Sequence, residues 1–189
     1  FTQLNAKSKQ VRTFAEKVIK ESDLNWTIIR PTMIYGTPND RNIIKLITFL
    51  DKVPFFPVIG NGRYLQQPIY VLDVATALIN SFFCDGAYKQ SFNIAGKEPI
   101  TFNQLIKITA KELNKKHFVI HIPSMPLIFL LRFLEKFINF LPIKAEQIER
   151  LNENKSFSYE KAEKTFSFSP LTFEEGIKRE VKLYKRIFI

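Results

Sequence analysis

Cysteine is almost absent: Cys84 stands alone among 189 residues. One thiol builds neither a disulfide framework nor a thiolate metal cluster, so a reducing, cytoplasmic setting is expected. Histidine is nearly as scarce, with only His117 and His121. They alternate with Phe118, Ile120 and Ile122 in a strand-like run, which predicts that the histidines share the more exposed face. No further ligands stand at suitable spacing, so no metal site is expected. No secretory signal pattern leads the sequence. It starts on Phe1 rather than Met, which is read as the sign of a longer product. Zinc-ligand sets, aromatic RNA-binding signatures and helix-turn-helix patterns are missing too. The net charge of +10 is therefore not expected to serve nucleic acid. It suits anionic lipid or a phosphorylated small molecule as well.

What is present is enough for a real core. Apolar residues make up 46% of the chain, an ordinary globular share, over a length of one domain or one and a half. The chain is organised around Asn25 to Gly36. Trp26 to Ile29 is β-rich and apolar without alternation, which suits a strand covered on both faces. Pro31 ends the ladder because it has no N–H to donate. Gly36 and Pro38 mark a turn. In open α/β sheets ligands sit just past the carboxyl ends of strands, so Pro31 to Tyr35 is where chemistry is sought.

Around that strand the apolar periodicity predicts helices. Residues 4–22 carry Leu4, Val11, Phe14, Ala15, Val18 and Ile19 on one face and lysines on the other. A helix over 41–52 follows, with Asp40 as N-cap. Asp73 opens a helix over 73–83 as N-cap or first-turn acid. Residues 91–96 read as a second sheet strand, Thr101 caps a helix over 102–114, and 117–122 form a strand. The helix over 125–141 is the most apolar, yet its charges argue against a membrane span. Its wide apolar arc suits a dimer face, a membrane-surface face or a well-buried helix. Residues 144–189 hold two or three short helices, one opened by a Thr172–Glu175 capping-box pattern.

Several of these stretches, in this order, resemble the extended and atypical short-chain dehydrogenase/reductases, especially the NAD-dependent epimerase/dehydratase group that acts on nucleotide sugars. Lys7-Ser8-Lys9 with Glu16 resembles the helix bearing the active-site lysine. Thr27 to Gly36 resembles the strand and loop that pass under the nicotinamide. Pro68 to Ala75 resembles the family's aromatic-Ile-Tyr-Val-Asp-Asp-Val-Ala segment. Phe92 to Gly96 with Thr101-Phe102 resembles the last sheet strand and its helix, and Ser167 to Gly176 the C-terminal ending.

The resemblance implies an α/β fold: a partial Rossmann-like, doubly wound sheet with a mostly helical C-terminal substrate-binding lobe. Residues 1–36 and 68–96 would form the Rossmann-like remnant, and 37–67 with 97–189 the lobe. It covers the second half of the family's chain. The Gly-rich turn that cradles the pyrophosphate would lie roughly a hundred residues earlier. None of the six glycines builds that fingerprint here.

By the same resemblance NAD or NADP is the cofactor and a nucleotide sugar the substrate. Lys9 takes the catalytic lysine's place, and Asn5 stands where the family's tyrosine belongs; asparagine is no general acid. Lys9, Pro31, Thr32, Met33 and Ile34 would line the cofactor. Met33 replaces an asparagine that touches the sugar nucleotide, and Gln66 replaces a phosphate-clamping arginine. Arg41, Arg63 and Gln67 are candidates to substitute. Arg30 is expected to pair with an acid, Tyr35 to pack. The expected function is the substrate-side part of an NAD(P)-dependent epimerase, dehydratase or reductase. Alternatives are a non-catalytic NAD(P)-binding sensor or accessory subunit of a membrane respiratory complex, and a cofactor-free module for anionic surfaces. A homo-oligomer, or a missing N-terminal half, would complete the site, and 125–141 offers a peripheral membrane contact.

Overall fold

The computed structural model describes residues 7–134 and 153–188. The chain runs α1 (Lys7–Lys20), β1 (Thr27–Pro31), β2 (Ile34–Tyr35), α2 (Ile43–Lys52), β3 (Phe55–Ile59), β4 (Leu65–Gln66), β5 (Ile69–Tyr70) and α3 (Val71–Phe82). A 3-10 turn (Asp85–Ala87) leads to β6 (Gln90–Ile94), β7 (Ile100–Thr101), α4 (Phe102–Leu113), β8 (Phe118–Ile122) and α5 (Ser124–Leu134). Then come α6 (Glu160–Phe166) and α7 (Phe173–Phe188). Asn5, Leu4 and the second half of the predicted 125–141 helix lie outside the described residues.

The β-branched run of β1 lies parallel to β6, Thr27 opposite Gln90 and Pro31 opposite Ile94. Among the described residues β1 pairs with β6 alone. β2 and β5 pair in parallel, as do β3 and β8, and β4 meets β7 antiparallel. This is the α/β, Rossmann-like arrangement expected, with helices against short parallel ladders.

Two cores form. The larger joins α2, α4 and α7: Ile47, Leu50, Leu105, Ile106 and Ile177 are almost wholly buried there, beside Tyr35. The smaller lies against β6, where Phe92 and Ile94 meet Ala77 of α3 and Ala162, Phe166 and Phe168 of the C-terminal segment. Gly96 follows β6 so closely that a Cβ would come within 2.1 Å of the Pro68 carbonyl oxygen. Only glycine lets the two chain segments touch there.

Three features stand apart from the periodic pattern. The apolar face of α1 is not buried: Val11 and Phe14 are 67% and 69% exposed, and Val18 and Ile19 are exposed too. Periodicity identifies a helix's apolar face but not whether anything covers it. In β8 the outward face carries Phe118, Ile120 and Ile122 rather than the histidines, although His121 is exposed as well near the strand's end and His117, just before the strand, is half-buried. Val119 packs on the larger core instead, and His121 lies 3.2 Å from Asn103 Oδ1 on that inner side. Asp73 is a first-turn acid of α3, one of the two places foreseen for it, with Tyr70 at the N-cap; its carboxylate accepts the Leu171 N–H at 3.0 Å and fastens the C-terminal segment to α3. Burial pushes its pKa up.

The capping chemistry is otherwise as read. Thr101 and Gln104 form a reciprocal capping box, and so do Thr172 and Glu175. Asp40 accepts the N–H groups of Asn42, Ile43 and Ile44, satisfying the start of α2.

Candidate functional site

Backbone hydrogen bonds fix the segment that follows β1. The Thr32 N–H donates to the Ile94 carbonyl, and the Met33 carbonyl accepts the Ile69 N–H at 2.9 Å. Thr32 Oγ1 donates to the Gln67 carbonyl at 2.5 Å. Pro31 to Met33 is thereby clamped between the end of β6 and the strand pair beside it. A rigid floor results at the carboxyl end of the sheet, where α/β folds place ligands.

On one side of this floor lies a cleft of about 610 Å³. Pro31, Thr32 and Met33 form its base, Arg12 and Glu16 of α1 one wall, and Gln67, Lys155 and Phe157 the other. Arg30 projects into it but is held by a fork to Glu16, with Nε donating to Oε1 at 2.7 Å and Nη2 to Oε2. The guanidinium holds the Glu16 carboxyl below its ordinary pKa, and Glu16 in turn raises that of Arg30. The pairing foreseen for Arg30 is thus made with α1, and it sets the angle of that helix against the sheet.

On the other side lies a second cleft of about 500 Å³, between α2, α4 and the 57–64 loop. Phe49, Phe56 and Phe102 stack edge to face along it, with ring centres 5.1 and 6.2 Å apart. Arg41 and Lys45 bring positive charge to its mouth. Met33, Gln66 and Lys155 line both clefts, so the two spaces meet at these residues.

The predicted residues divide accordingly. Pro31, Thr32, Met33, Gln66 and Gln67 line the first cleft, and Met33, Arg41 and Gln66 the second. Ile34 and Arg63 line neither, and Arg63 is exposed. Lys9 also lines neither cleft, although it lies on the helix face that carries Arg12 and Glu16. Gln67 is committed structurally: its amide donates to the Gly96 carbonyl at 2.7 Å and accepts the Phe157 N–H at 2.8 Å.

Lys155 and Arg12 are the residues that sequence reasoning missed. Lys155 arrives because its N–H donates to the Leu65 carbonyl while Asn154 Oδ1 accepts the Leu65 N–H. Those contacts span about ninety residues of sequence and leave no local pattern. Arg12 could have been found from its position one turn before Glu16 on the same face.

Tyr35 is buried against Tyr70, Phe173 and Gly176, and desolvation pushes its phenol far above the usual range. It packs, as expected, and cannot exchange a proton near neutrality. Among the described residues no three His, Cys, Asp or Glu side chains gather as metal ligands would. Nor is any helix there long and apolar enough to cross a membrane.

No family model matches the chain. Several curated proteins are similar over part of it, three of them as follows. One is the chloroplast stem-loop binding protein of 41 kDa b from Arabidopsis thaliana, 36% identical over 51% of this chain and 26% of its own length. Another is the mitochondrial NADH dehydrogenase [ubiquinone] 1 alpha subcomplex subunit 9 of the same plant, 31% identical over 52% of this chain and 25% of its own. The third is N-acetyl-alpha-D-glucosaminyl-diphospho-ditrans,octacis-undecaprenol 4-epimerase of Escherichia coli O157:H7, 28% identical over 58% of this chain and 34% of its own. Among solved structures, UDP-glucose 4-epimerase from Thermotoga maritima superposes with a TM-score of 0.71 at 19% identity. That match covers 96% of this chain and 52% of the epimerase, and it establishes the fold. The chain thus spans about half the length of that enzyme. The ordered motifs and the shared fold agree: the chain has the fold of these epimerases and is similar, over part of its length, to proteins of the NAD-dependent epimerase/dehydratase kind.

Proposed function

We propose that this chain supplies the substrate side of an NAD(P)-dependent epimerase, dehydratase or reductase acting on a nucleotide-linked sugar. The observation that carries the reading is the meeting of two clefts at Met33, Gln66 and Lys155. A two-substrate hydride reaction needs such a junction, with a cofactor on one side and a sugar on the other.

The residues of the first cleft fit the nicotinamide end of a dinucleotide. Pro31 and Met33 offer a flat apolar floor, and Thr32 is locked beneath it. A bound dinucleotide would supply hydride transfer to and from a sugar carbon. By the family resemblance Lys9, on the helix face that carries Arg12 and Glu16, would hold a ribose hydroxyl. The diphosphate end finds no Gly-rich helix start among these residues, so the fit is to one end of the cofactor only.

The second cleft suits the nucleotide of the substrate. Phe49, Phe56, Phe102 and Tyr64 offer ring faces and edges for a base. Arg41, Lys45 and Lys155 neutralise a diphosphate. Gln66 makes at most neutral hydrogen bonds where the family's arginine would clamp bidentately, so orientation falls to the flanking cations.

A second reading is favoured by Asn5, whose amide is neither an acid nor a base near neutrality. A chain that binds cofactor or sugar without turnover would then be a sensor or accessory subunit. The similarity to a protein named as a respiratory-complex subunit supports that alternative.

Titration calorimetry with UDP-glucose, followed by NADH fluorescence, tests both. The expected result is saturable nucleotide-sugar binding that Lys155→Ala weakens about tenfold. Turnover gained by Asn5→Tyr would favour the enzyme lineage; binding without any turnover in either form favours the second reading. No binding of sugar nucleotide or NADH sinks both.

A further inference from the structure

We propose that the outer face of the β3–β8 sheet, continued by α5, docks onto an anionic membrane surface. The proposal goes beyond the cleft chemistry and does not rest on it.

The face is built by strand alternation. In the parallel register Phe55 lies opposite Phe118, Pro57 opposite Ile120 and Ile59 opposite Ile122. Period-two geometry puts all these side chains on one side of the ladder. Their neighbours Phe56, Val58 and Val119 face the larger core. A two-stranded sheet thus presents apolar side chains on both faces, and only the inner one is covered. Phe118 is 75% exposed, and Phe55 and Ile120 are exposed with it.

Immediately after β8, Pro123 leads into α5. No residue of α5 is buried, and Met125 and Phe129 are each 76% exposed. So large an apolar surface is uncommon on a monomer and marks a contact.

The charge around it selects the partner. Lys52 precedes β3, and Lys115 and Lys116 precede β8, so cations rim the Phe55–Phe118 end. Over residues 101–134 the cations are Lys107, Lys111, Lys115, Lys116 and Arg132, against the single acid Glu112. Asp51 and Glu174, which pair with Lys115 and Lys111, raise the acids to three against five. The α5 helix itself carries Arg132 and no acid. The whole chain adds +10. Exposed Phe, Met and Leu beside a net positive charge match the headgroup and acyl boundary of an anionic bilayer. Among the described residues no helix is long and apolar enough to cross a membrane, so the contact is placed on the surface.

The test is flotation of the whole chain with vesicles of phosphatidylcholine alone, or with about one-third phosphatidylglycerol. The chain should float with anionic vesicles at low salt, about tenfold less with neutral ones, and less as salt rises. Phe118→Ser with Phe129→Ser should cut binding about tenfold. If that pair unfolds, Lys52→Glu with Lys116→Glu should reduce binding to anionic vesicles alone by a similar factor. No flotation at low salt overturns the proposal. So does undiminished flotation of a folded variant. Self-association that the Phe118→Ser, Phe129→Ser pair abolishes, without vesicle binding, would assign the face to a second copy instead.

Discussion

The α2–α4–α7 lobe and the β1–β6 sheet with its helices are built from similar sequence but are finished differently. In the lobe each amphipathic helix turns its stripe onto another helix, and Ile47, Leu50 and Ile177 reach zero exposure. Beside the sheet, α1 and α3 carry somewhat weaker stripes that stay in solvent: Phe14, Val18, Leu78, Ile79 and Phe82 are all exposed. β1 is half-exposed along its length and pairs on one edge only, among the described residues. The lesson is that an amphipathic pattern states what a segment could bury, while topology decides what it does bury. The lobe closes on itself. The sheet flank keeps an open edge beside the cleft assigned to the cofactor.

The largest effect should come from the closed side. Ile177→Ala removes a fully buried side chain in the second turn of α7 and leaves a cavity between three helices. Urea unfolding should show a loss of about 2–5 kcal/mol. A loss near 0.5 kcal/mol would break the comparison, because the lobe would then not be the cooperative core.

A smaller effect of opposite sign sharpens it. Glu180 is the polar flaw of the lobe core: 1% exposed, with neither carboxyl oxygen in a well-formed hydrogen bond. It faces the Asp40 carboxylate and the Gly36 N–H. Desolvation first, and Asp40 second, push its pKa up to about 9 from 4.5. The folded state therefore holds this proton over a range where the unfolded chain has released it. Stability should fall as pH rises from 4.5 to about 9 and level off beyond, since both states are protonated below that window and both ionised above it. The slope from this group is about 1 kcal/mol per pH unit. Glu180→Gln should abolish that slope and stabilise the protein by about 2 kcal/mol or more at pH 8. Asp73, also desolvated, leaves a residual slope of the same sign in both proteins. Equal pH profiles for the two would show that Glu180 is solvated in practice.

Local chemistry was legible in the sequence and long-range contact was not. The Thr101–Gln104 and Thr172–Glu175 boxes, the strand ended by Pro31 and the packing role of Tyr35 all follow from neighbouring residues. Met33, Gln66 and Arg41 were reached through motif order, and they line the clefts. Lys155 was invisible, because its place depends on Leu65 far away in sequence. Asp73 was legible as a first-turn acid of α3. Its bond to the Leu171 N–H was not, because that contact is made only once the chain has closed. The β8 faces were misassigned for a similar reason: alternation separates two faces but does not say which one meets the core.

The smallest expected effect tests the open side directly. Phe14→Ser removes a large apolar side chain from α1, which in the lobe would cost several kcal/mol. Here the ring is 69% exposed, so little apolar area is lost from contact. Phe and Ser also have similar helix propensities, so the helix itself is not penalised. The change in unfolding free energy should stay within about 0.5 kcal/mol. A loss above about 1 kcal/mol would mean that α1 is covered after all, by residues 1–6 or 135–152 of this chain or by a second copy. Repeating the measurement over a hundredfold range of protein concentration separates those two, because only cover by a second copy makes the loss depend on concentration.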